Sequence, residues 1–250
     1  MSAPILKVSS DDIRDLKAVI EALAKLVDEG SIKFTPEKME IIALDRAHIS
    51  LLQISFPKEM FKEYEVQNEY NFGFNAQYLL KLLKASKRKE AYELSAESNE
   101  SITLKIIGSL VKEFNIRNLE VVPPEVPEIN LEFDINALIT SSGFKKAVQQ
   151  VAAVSDTIDI QATEEKIIIK SEGEEKVEIE FSKESGGLQS IEATKEALSS
   201  YTADYLVDVL SLTKLSDTVG IAFSEKKPLK LEYNVEGGGK VTYLIAPKIT

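Results

Sequence analysis

Hydrophobic positions in the first half of the chain follow a helical period and then a strand period. Apolar residues recur every three or four positions from Ile13 to Val27, which predicts an amphipathic helix capped by Asp11 or Asp12. A second helix is predicted over 76–85, with Asn75 as its cap. The branched and alternating stretches around these helices predict strands over 32–35, 39–44, 49–56, 70–74, 91–95, 101–107 and 111–117.

The second half repeats this order of elements. Helices are predicted over 141–154 and 203–212. Strands are predicted over 131–135, 158–161, 166–170, 176–181, 189–193, 219–223, 229–234 and 240–245. Each half therefore contains two helices among mostly antiparallel strands, and the predicted fold class is α+β.

The two halves also match residue by residue. TPEKMEI from Thr35 aligns with TEEKIII from Thr163, an offset of 163 − 35 = 128, and the pair Tyr78–Leu79 aligns with Tyr205–Leu206 at 127. An offset of half the chain indicates a duplicated domain and is too long for a solenoid repeat.

A proline-rich stretch separates the halves. LEVVPPEVPEINLEF, from Leu119 to Phe133, has three prolines within five positions. Proline fixes φ and lacks an N–H donor, so we expect an extended connector that is neither helix nor central strand. The predicted division is a first domain over 1–118, a connector over 119–132 and a second domain over 133–250.

Composition excludes several kinds of chemistry. The chain has no cysteine and a single histidine, which excludes disulfides, thiolate sites and multi-histidine metal sites. Because no nucleophile or orienting group can be named for His48, we predict that the protein is not an enzyme. We expect no metal and no cofactor. We also expect no membrane association, since no apolar run approaches the length of a membrane span.

Positive charge is concentrated on the predicted helices. The net charge is −11, whereas nucleic-acid binders are usually basic, so any DNA contact needs its cations gathered on one face. A single lysine on a helix is most simply a solvated charge. As a set, the helix lysines predict a surface that contacts phosphates without reading bases, and they are Lys17, Lys81, Lys84, Lys145, Lys146 and Lys214.

Several motifs together resemble the proliferating cell nuclear antigen family of DNA sliding clamps. They are LDRAHISLL from Leu44, PL at Pro228 with EY at Glu232, the terminal APKI from Ala246, and the proline-bearing connector. The resemblance covers the whole chain and is closest to archaeal members. It implies the DNA clamp fold, in which three two-domain subunits form a ring whose helices line a channel for duplex DNA.

The resemblance also implies two protein-binding surfaces. One is an apolar pocket beside the connector for partner peptides, comprising Leu44, His48, Ile49, Val126, Pro127, Pro228, Leu244, Ala246 and Pro247. Leu51 and Leu229 lie close to these in sequence and can equally be core residues. The other surface is a pair of edge strands that join neighbouring subunits head to tail, comprising Val111, Glu113, Asn115, Arg117, Val177, Ile179 and Phe181.

The function implied is that of a DNA polymerase sliding clamp, or processivity factor. The expected partners are double-stranded DNA bound without sequence preference, DNA polymerase, clamp loader, flap endonuclease, DNA ligase, and sister subunits or further copies that complete a trimer. The expected location is the cytoplasm, at the nucleoid, in an archaeon and the nucleus in a eukaryote. The alternatives are a checkpoint-type clamp subunit in the DNA-damage response and an interaction scaffold without DNA. A hydrolase or transferase on a duplicated fold is disfavoured by the lone histidine and the missing cysteines.

Overall fold

The structure separates the chain into two units with matching element order. It is a computed structural model that describes residues 4–87, 89–126 and 131–248. Unit 1 contains Met1–Arg46, Leu52–Glu125 and Val235–Val241, and unit 2 contains Ala47–Leu51, Val126–Asn234 and Thr242–Thr250. The predicted α+β class is confirmed, with every described strand pairing antiparallel to its neighbours where the register is resolved.

The first half of the chain contains nine strands and two α-helices within the described residues. In order they are β1 (Leu6–Ser10), α1 (Arg14–Leu26), β2 (Glu29–Phe34), β3 (Lys38–Leu44), β4 (Ser50–Pro57), a 3-10 turn (Lys58–Met60), β5 (Glu63–Val66), β6 (Tyr70–Asn75), α2 (Ala76–Lys84), β7 (Ala91–Ala96), β8 (Ser101–Ile107) and β9 (Val111–Arg117). One sheet has the order β5-β1-β7-β8-β9, and β6, β2, β3 and β4 are consecutive neighbours in another.

The second half follows the same plan. Its elements are β10 (Ile135–Thr140), α3 (Ser141–Ala152), β11 (Thr157–Ala162), β12 (Lys166–Lys170), β13 (Glu178–Ser182), β14 (Leu188–Ala193), β15 (Ala197–Thr202), α4 (Ala203–Asp208), a 3-10 helix (Leu210–Lys214), β16 (Thr218–Phe223), β17 (Leu229–Val235) and β18 (Gly239–Ile245). One sheet has the order β13-β12-β11-β15, and β14, β10, β16, β17 and β18 are consecutive neighbours in another.

Two predicted elements of the second half were wrong in extent. The strand predicted over 131–135 begins only at Ile135, because the four residues before it are in neither helix nor strand. The helix predicted over 203–212 ends as α-helix at Asp208 and continues as a 3-10 helix. Val209 leaves the α-helical region there, with φ −103° and ψ 10°.

The predicted cap of α2 is confirmed by a hydrogen bond, whereas the N-cap position of α1 is Ile13 rather than the predicted Asp11 or Asp12. The Asn75 side chain accepts from the Tyr78 N–H at 2.9 Å at the start of α2. At the start of α1 the Asp12 carboxylate accepts from the Arg14 N–H at 3.0 Å, whereas Asp11 pairs with Lys62. The apolar stripe of α1 is buried, and none of the described helices is both long and apolar enough to cross a membrane.

The duplication is visible in the turns of the two units. The Thr35 N–H donates to the Lys38 carbonyl at 2.9 Å, and the Thr163 N–H donates to the Lys166 carbonyl at 3.0 Å. The strand that precedes α2, β6, and the strand that precedes α4, β15, are both six residues long. Equivalent residues therefore form equivalent local structures in both halves.

Candidate functional site

In unit 1 the predicted lysines lie on two helices that are bonded to each other. Gln77 of α2 donates its side-chain amide to the Ala24 carbonyl of α1 at 2.6 Å. Lys81 and Lys84 are exposed on α2, and Lys17 is half-buried on α1. Within the part of the chain that the structure describes, none of these three lysines has a carboxylate partner within 4.0 Å.

Unit 2 carries fewer cations on its helices. Lys145 is half-buried and Lys146 is exposed on α3, and among the described residues neither has a carboxylate partner. Lys214 is exposed at the end of the 3-10 helix. The short helix α4 has no lysine of its own and carries Asp204 and Asp208 instead.

Lysines on the strands behave differently, because many are paired with carboxylates. Lys7 is 2.8 Å from Glu63, and Lys166 is 2.8 Å from Glu180. Other ion pairs on or beside the strands are Lys33–Glu69, Lys38–Glu40, Lys58–Glu37, Lys105–Glu93, Lys112–Glu90 and Lys230–Glu232. Since many strand lysines already have a carboxylate partner, Lys17, Lys81 and Lys84 are better candidates for contact with an external anion.

A small cavity in unit 1 lies against the first part of the connector. It has a volume of 240 Å³ and combines Leu44 and Ile42 of β3 with Gly30 of β2. Its other wall is connector, and the residues of that wall are Val121, Val122, Pro123 and Pro124. The predicted pocket included Leu44 but not the connector residues of this wall. The proline-rich connector sequence was the signal that could have indicated them.

Other predicted pocket residues lie in unit 2. The Ile49 carbonyl accepts from the Ala246 N–H at 2.8 Å, so the loop before β4 and the end of the chain are held together. The remaining described members are half-buried or exposed, and they are His48, Val126, Pro228, Leu244 and Pro247. Pro127 lies outside the described residues.

Backbone geometry distinguishes His48 from its neighbours in the loop before β4. His48 is exposed and has a φ of 57°, in the left-handed region that non-glycine residues seldom adopt. Leu51 and Leu229 are buried at 5% and 0% exposure, which makes them core residues. The loop therefore presents His48 to solvent while its flanking leucine supports the fold.

Among the strands that end their sheets in the described part of the chain, β9 and β13 are the two that were predicted as subunit edges. In β9 the exposed side chains alternate, with Val111 at 65% exposure and Glu113, Asn115 and Arg117 also exposed. In β13 Ile179 is half-buried. Such edges offer unpaired main-chain groups to another strand.

Two of the predicted edge residues need correction in their structural role. Val177 lies outside β13, because the strand predicted over 176–181 is observed as Glu178–Ser182. Phe181 is only 3% exposed, and its ring lies next to Gly143 and Gly187 within unit 2. Phe181 can therefore offer its main chain, but not its side chain, to another chain.

The acidic residues do not gather into a metal site in the described part of the chain. No group of three or more histidines, aspartates or glutamates there is arranged to hold a metal ion.

Comparison with known proteins finds the same family along the whole chain. Residues 7–122 match the family model "Proliferating cell nuclear antigen, N-terminal domain", and residues 125–248 match the corresponding C-terminal domain. DNA polymerase sliding clamp 1 of Sulfurisphaera ohwakuensis is 57% identical over 245 residues, which cover 98% of this chain and 100% of the relative.

Solved structures give the same result at lower identity. The structure of PCNA from Thermococcus kodakaraensis superposes with a TM-score of 0.91 at 28% identity and covers 97% of this chain and 100% of that chain. A chain of the PCNA2–PCNA3 complex from Sulfolobus tokodaii also gives 0.91 at 28% identity, with 97% and 99% covered. The match extends over both units.

Proposed function

The chain belongs to the proliferating cell nuclear antigen family of DNA polymerase sliding clamps, and we propose that it acts as one subunit of a three-subunit ring that encircles duplex DNA. The role is topological and non-catalytic. A closed ring around duplex DNA cannot dissociate without opening, so a polymerase bound to the ring stays on its template. Because DNA is the track, we propose that the protein acts at the nucleoid.

The contrast between helix lysines and strand lysines carries this proposal. Lys81 and Lys84 project from one helix without carboxylate partners, whereas Lys7 and many other strand lysines are paired. A cation without a protein partner is free to replace a counterion on a phosphate, and such contacts are independent of base sequence. Several weak contacts of this kind suit a ring that must slide.

The connector and its neighbouring cavity support the docking of partner peptides. Leu44 and the connector residues Val121 and Val122 give the 240 Å³ cavity an apolar lining. A hydrophobic side chain of an incoming peptide can occupy such a cavity while its main chain runs along the extended connector. DNA polymerase, clamp loader, flap endonuclease and DNA ligase are the partners we propose for this site and for the pocket residues of unit 2.

The free edges of β9 and β13 support assembly by strand pairing. A head-to-tail contact uses two different surfaces of each subunit, and it closes into a ring when the rotation between subunits is a third of a turn. We propose that β9 and β13 provide these two surfaces, with domains over 1–118 and 133–250 joined by the connector. The relative from Sulfolobus tokodaii was solved as a complex of two different PCNA chains, so sister chains as well as copies are candidate neighbours.

The direct test is polymerase run length on primed circular DNA in the presence of a clamp loader and ATP. The chain, alone or with sister subunits, should lengthen the products, and linearising the template should reduce the effect because an encircling ring can slide off a free end. Equal product lengths with and without the chain would refute the proposed function.

A further inference from the structure

The first connector residues are fixed to β6 by one asparagine. The Asn118 side-chain oxygen accepts from the Gly73 N–H at 2.8 Å. Its side-chain nitrogen donates to the Asn71 carbonyl at 2.9 Å and to the Asn99 carbonyl at 3.0 Å. One side chain therefore bonds three main-chain groups, on β6 and on the turn between β7 and β8.

The main chain at Asn118 and Leu119 reinforces the same junction. The Asn118 N–H donates to the Glu100 carbonyl at 2.8 Å, and the Leu119 N–H donates to the Gly73 carbonyl at 2.8 Å. On its other side β6 is paired with β2, so Leu119 adds a single bridge to the free side of β6. Beyond this bridge, the described connector up to Val126 has no helix or strand.

The position of this junction links two surfaces of the proposed clamp. Asn118 follows Arg117, the last residue of the edge strand β9. Val121 and Val122, a few residues further on, line the 240 Å³ cavity, and with Asn115 and Arg117 they also line a second cavity of 820 Å³. The connector wall thus contributes to two cavities, and it directly follows the attachment of Asn118 and Leu119 to β6.

We propose that Asn118 is a positioning residue for partner-peptide binding. It holds the start of the connector on β6, so that the wall formed by residues 121–124 is in place before a peptide arrives. This inference rests on the proposed function, in which the cavity beside that wall receives a hydrophobic side chain. Asn118 itself does not line the 240 Å³ cavity.

The size of the effect follows from conformational entropy. In the native chain the connector residues are already ordered before the peptide binds. Without the Asn118 side chain, they become ordered only on peptide binding, and the lost conformational entropy weakens that binding. Ordering the main chain of one residue lowers an equilibrium constant by about tenfold. The variant Asn118→Ala should therefore bind a partner peptide about tenfold more weakly, through pre-organisation rather than a lost contact.

The experiment compares full-length variants in peptide binding and in hydrogen exchange. The probe is a fluorescein-labelled peptide with the sequence of the C-terminal tail of the DNA polymerase from the same organism, followed by fluorescence anisotropy. Asn136→Ala is the matched control, because Asn136 is exposed on β10 in unit 2, donates its side-chain amide to the Phe133 carbonyl at 3.3 Å and belongs to none of the proposed binding surfaces. Exchange of the Leu119 and Val121 amides reports the attachment directly, whether or not a peptide binds.

The outcomes separate this inference from the proposed function. Weaker peptide binding and faster exchange at Leu119 and Val121 in Asn118→Ala, with Asn136→Ala unchanged, would support the inference. Equal peptide affinity in Asn118→Ala and the native chain would overturn it and leave the clamp function standing. A native chain that does not bind the peptide would count against the docking site, while exchange still decides whether Asn118 holds the connector.

A second variant covers the case in which the alanine variant unfolds. Asn118→Asp keeps the oxygen that accepts from Gly73 and replaces the donor nitrogen by an oxygen facing the carbonyls of Asn71 and Asn99. It should also release the connector and weaken binding about tenfold. If neither variant folded, Asn118 would be required for folding, and the positioning role would be refuted.

Discussion

Gly73 and Leu119 approach so closely that a Cβ atom on Gly73 would lie 2.1 Å from the Leu119 carbonyl oxygen. Only glycine permits the connector to lie against β6 at this point. We expect Gly73→Ala to lower the free energy of unfolding by about 1–3 kcal/mol, because the added methyl group must displace the connector or shift β6. Urea denaturation followed by circular dichroism measures this change.

The chain offers a matched control for that substitution. A Cβ atom on Gly173 meets nothing within 4 Å, and Gly173 lies in an exposed loop of unit 2. We expect Gly173→Ala to change the unfolding free energy by no more than about 0.5 kcal/mol. Equal stability of the two alanine variants would contradict the close approach of Gly73 and Leu119.

The helix lysines should determine the salt dependence of DNA binding. We expect the double variant Lys81→Gln and Lys84→Gln to reduce the slope of log K against log salt by about 1 for each lysine that contacts a phosphate. The assembled clamp is first loaded on closed circular duplex DNA. Its affinity for that DNA is then measured at a series of salt concentrations.

A control for this prediction uses lysines that have partners. Lys38 is 2.6 Å from Glu40, and Lys58 is 2.8 Å from Glu37. Replacing both with glutamine removes the same charge from strand and turn positions, and it should leave the slope unchanged. An equal reduction of the slope in both double variants would show that net charge, rather than the helix surface, governs DNA binding.

Local signals in the sequence predicted α1 and α2 well because each has its own period and boundary. The side chain of Asn75 caps α2, and the apolar stripe from Ile13 predicted α1. The strands β1, β5 and β15 were missed. Both β1 and β5 are short, at five and four residues, and β15 has two adjacent serines, so none shows a clear alternation.

The duplication could have recovered one of those strands. Shifting β6, Tyr70–Asn75, by the offset of 127 already found for Tyr78 gives Ala197–Thr202, which is β15. The connector wall of the 240 Å³ cavity was beyond such reasoning. Which of the valines and prolines faces β3 depends on tertiary contacts, and those begin with the attachment of Asn118 to β6.

The edge of β9 should be needed for assembly and dispensable for folding. Val111 is 65% exposed on that edge, so we expect Val111→Lys to change the unfolding free energy by no more than about 0.5 kcal/mol. It should nevertheless prevent ring formation, because a charge on an edge strand opposes pairing with another strand. Light scattering after size-exclusion chromatography measures the assembly, with sister subunits added if the chain alone is a monomer.

Val122→Lys is the control for this substitution. Val122 is 88% exposed and lies in the connector, so the same change of charge and size is made outside the edge strand itself. We expect that variant to assemble like the native chain. Normal ring formation by Val111→Lys would argue against β9 as a subunit interface.

The stability of the chain should depend on pH through Glu90, which is buried between α2 and β9. Its carboxylate accepts from the Lys87 N–H at 2.8 Å and lies 3.5 Å from the Lys112 ammonium. The backbone hydrogen bond from Lys87, with the charge of Lys112, holds the pKa of Glu90 below its ordinary value of 4.5. A carboxylate of this kind stabilises the folded state above its unfolded pKa, and the stabilisation disappears as the pH falls through the folded pKa.

We therefore expect Glu90→Gln to be less stable than the native chain at pH 7 and to approach it as the pH is lowered below 4.5, the ordinary value for glutamate. Urea unfolding at a series of pH values measures the difference. Glu113→Gln is the control, because Glu113 is exposed and its carboxylate is 3.7 Å from Lys105, a distance at which an ion pair contributes little. If the loss of stability in Glu90→Gln were the same at all pH values, a change of packing rather than of charge would explain it. The ionisation of Glu90 would then not contribute to the stability of the folded chain.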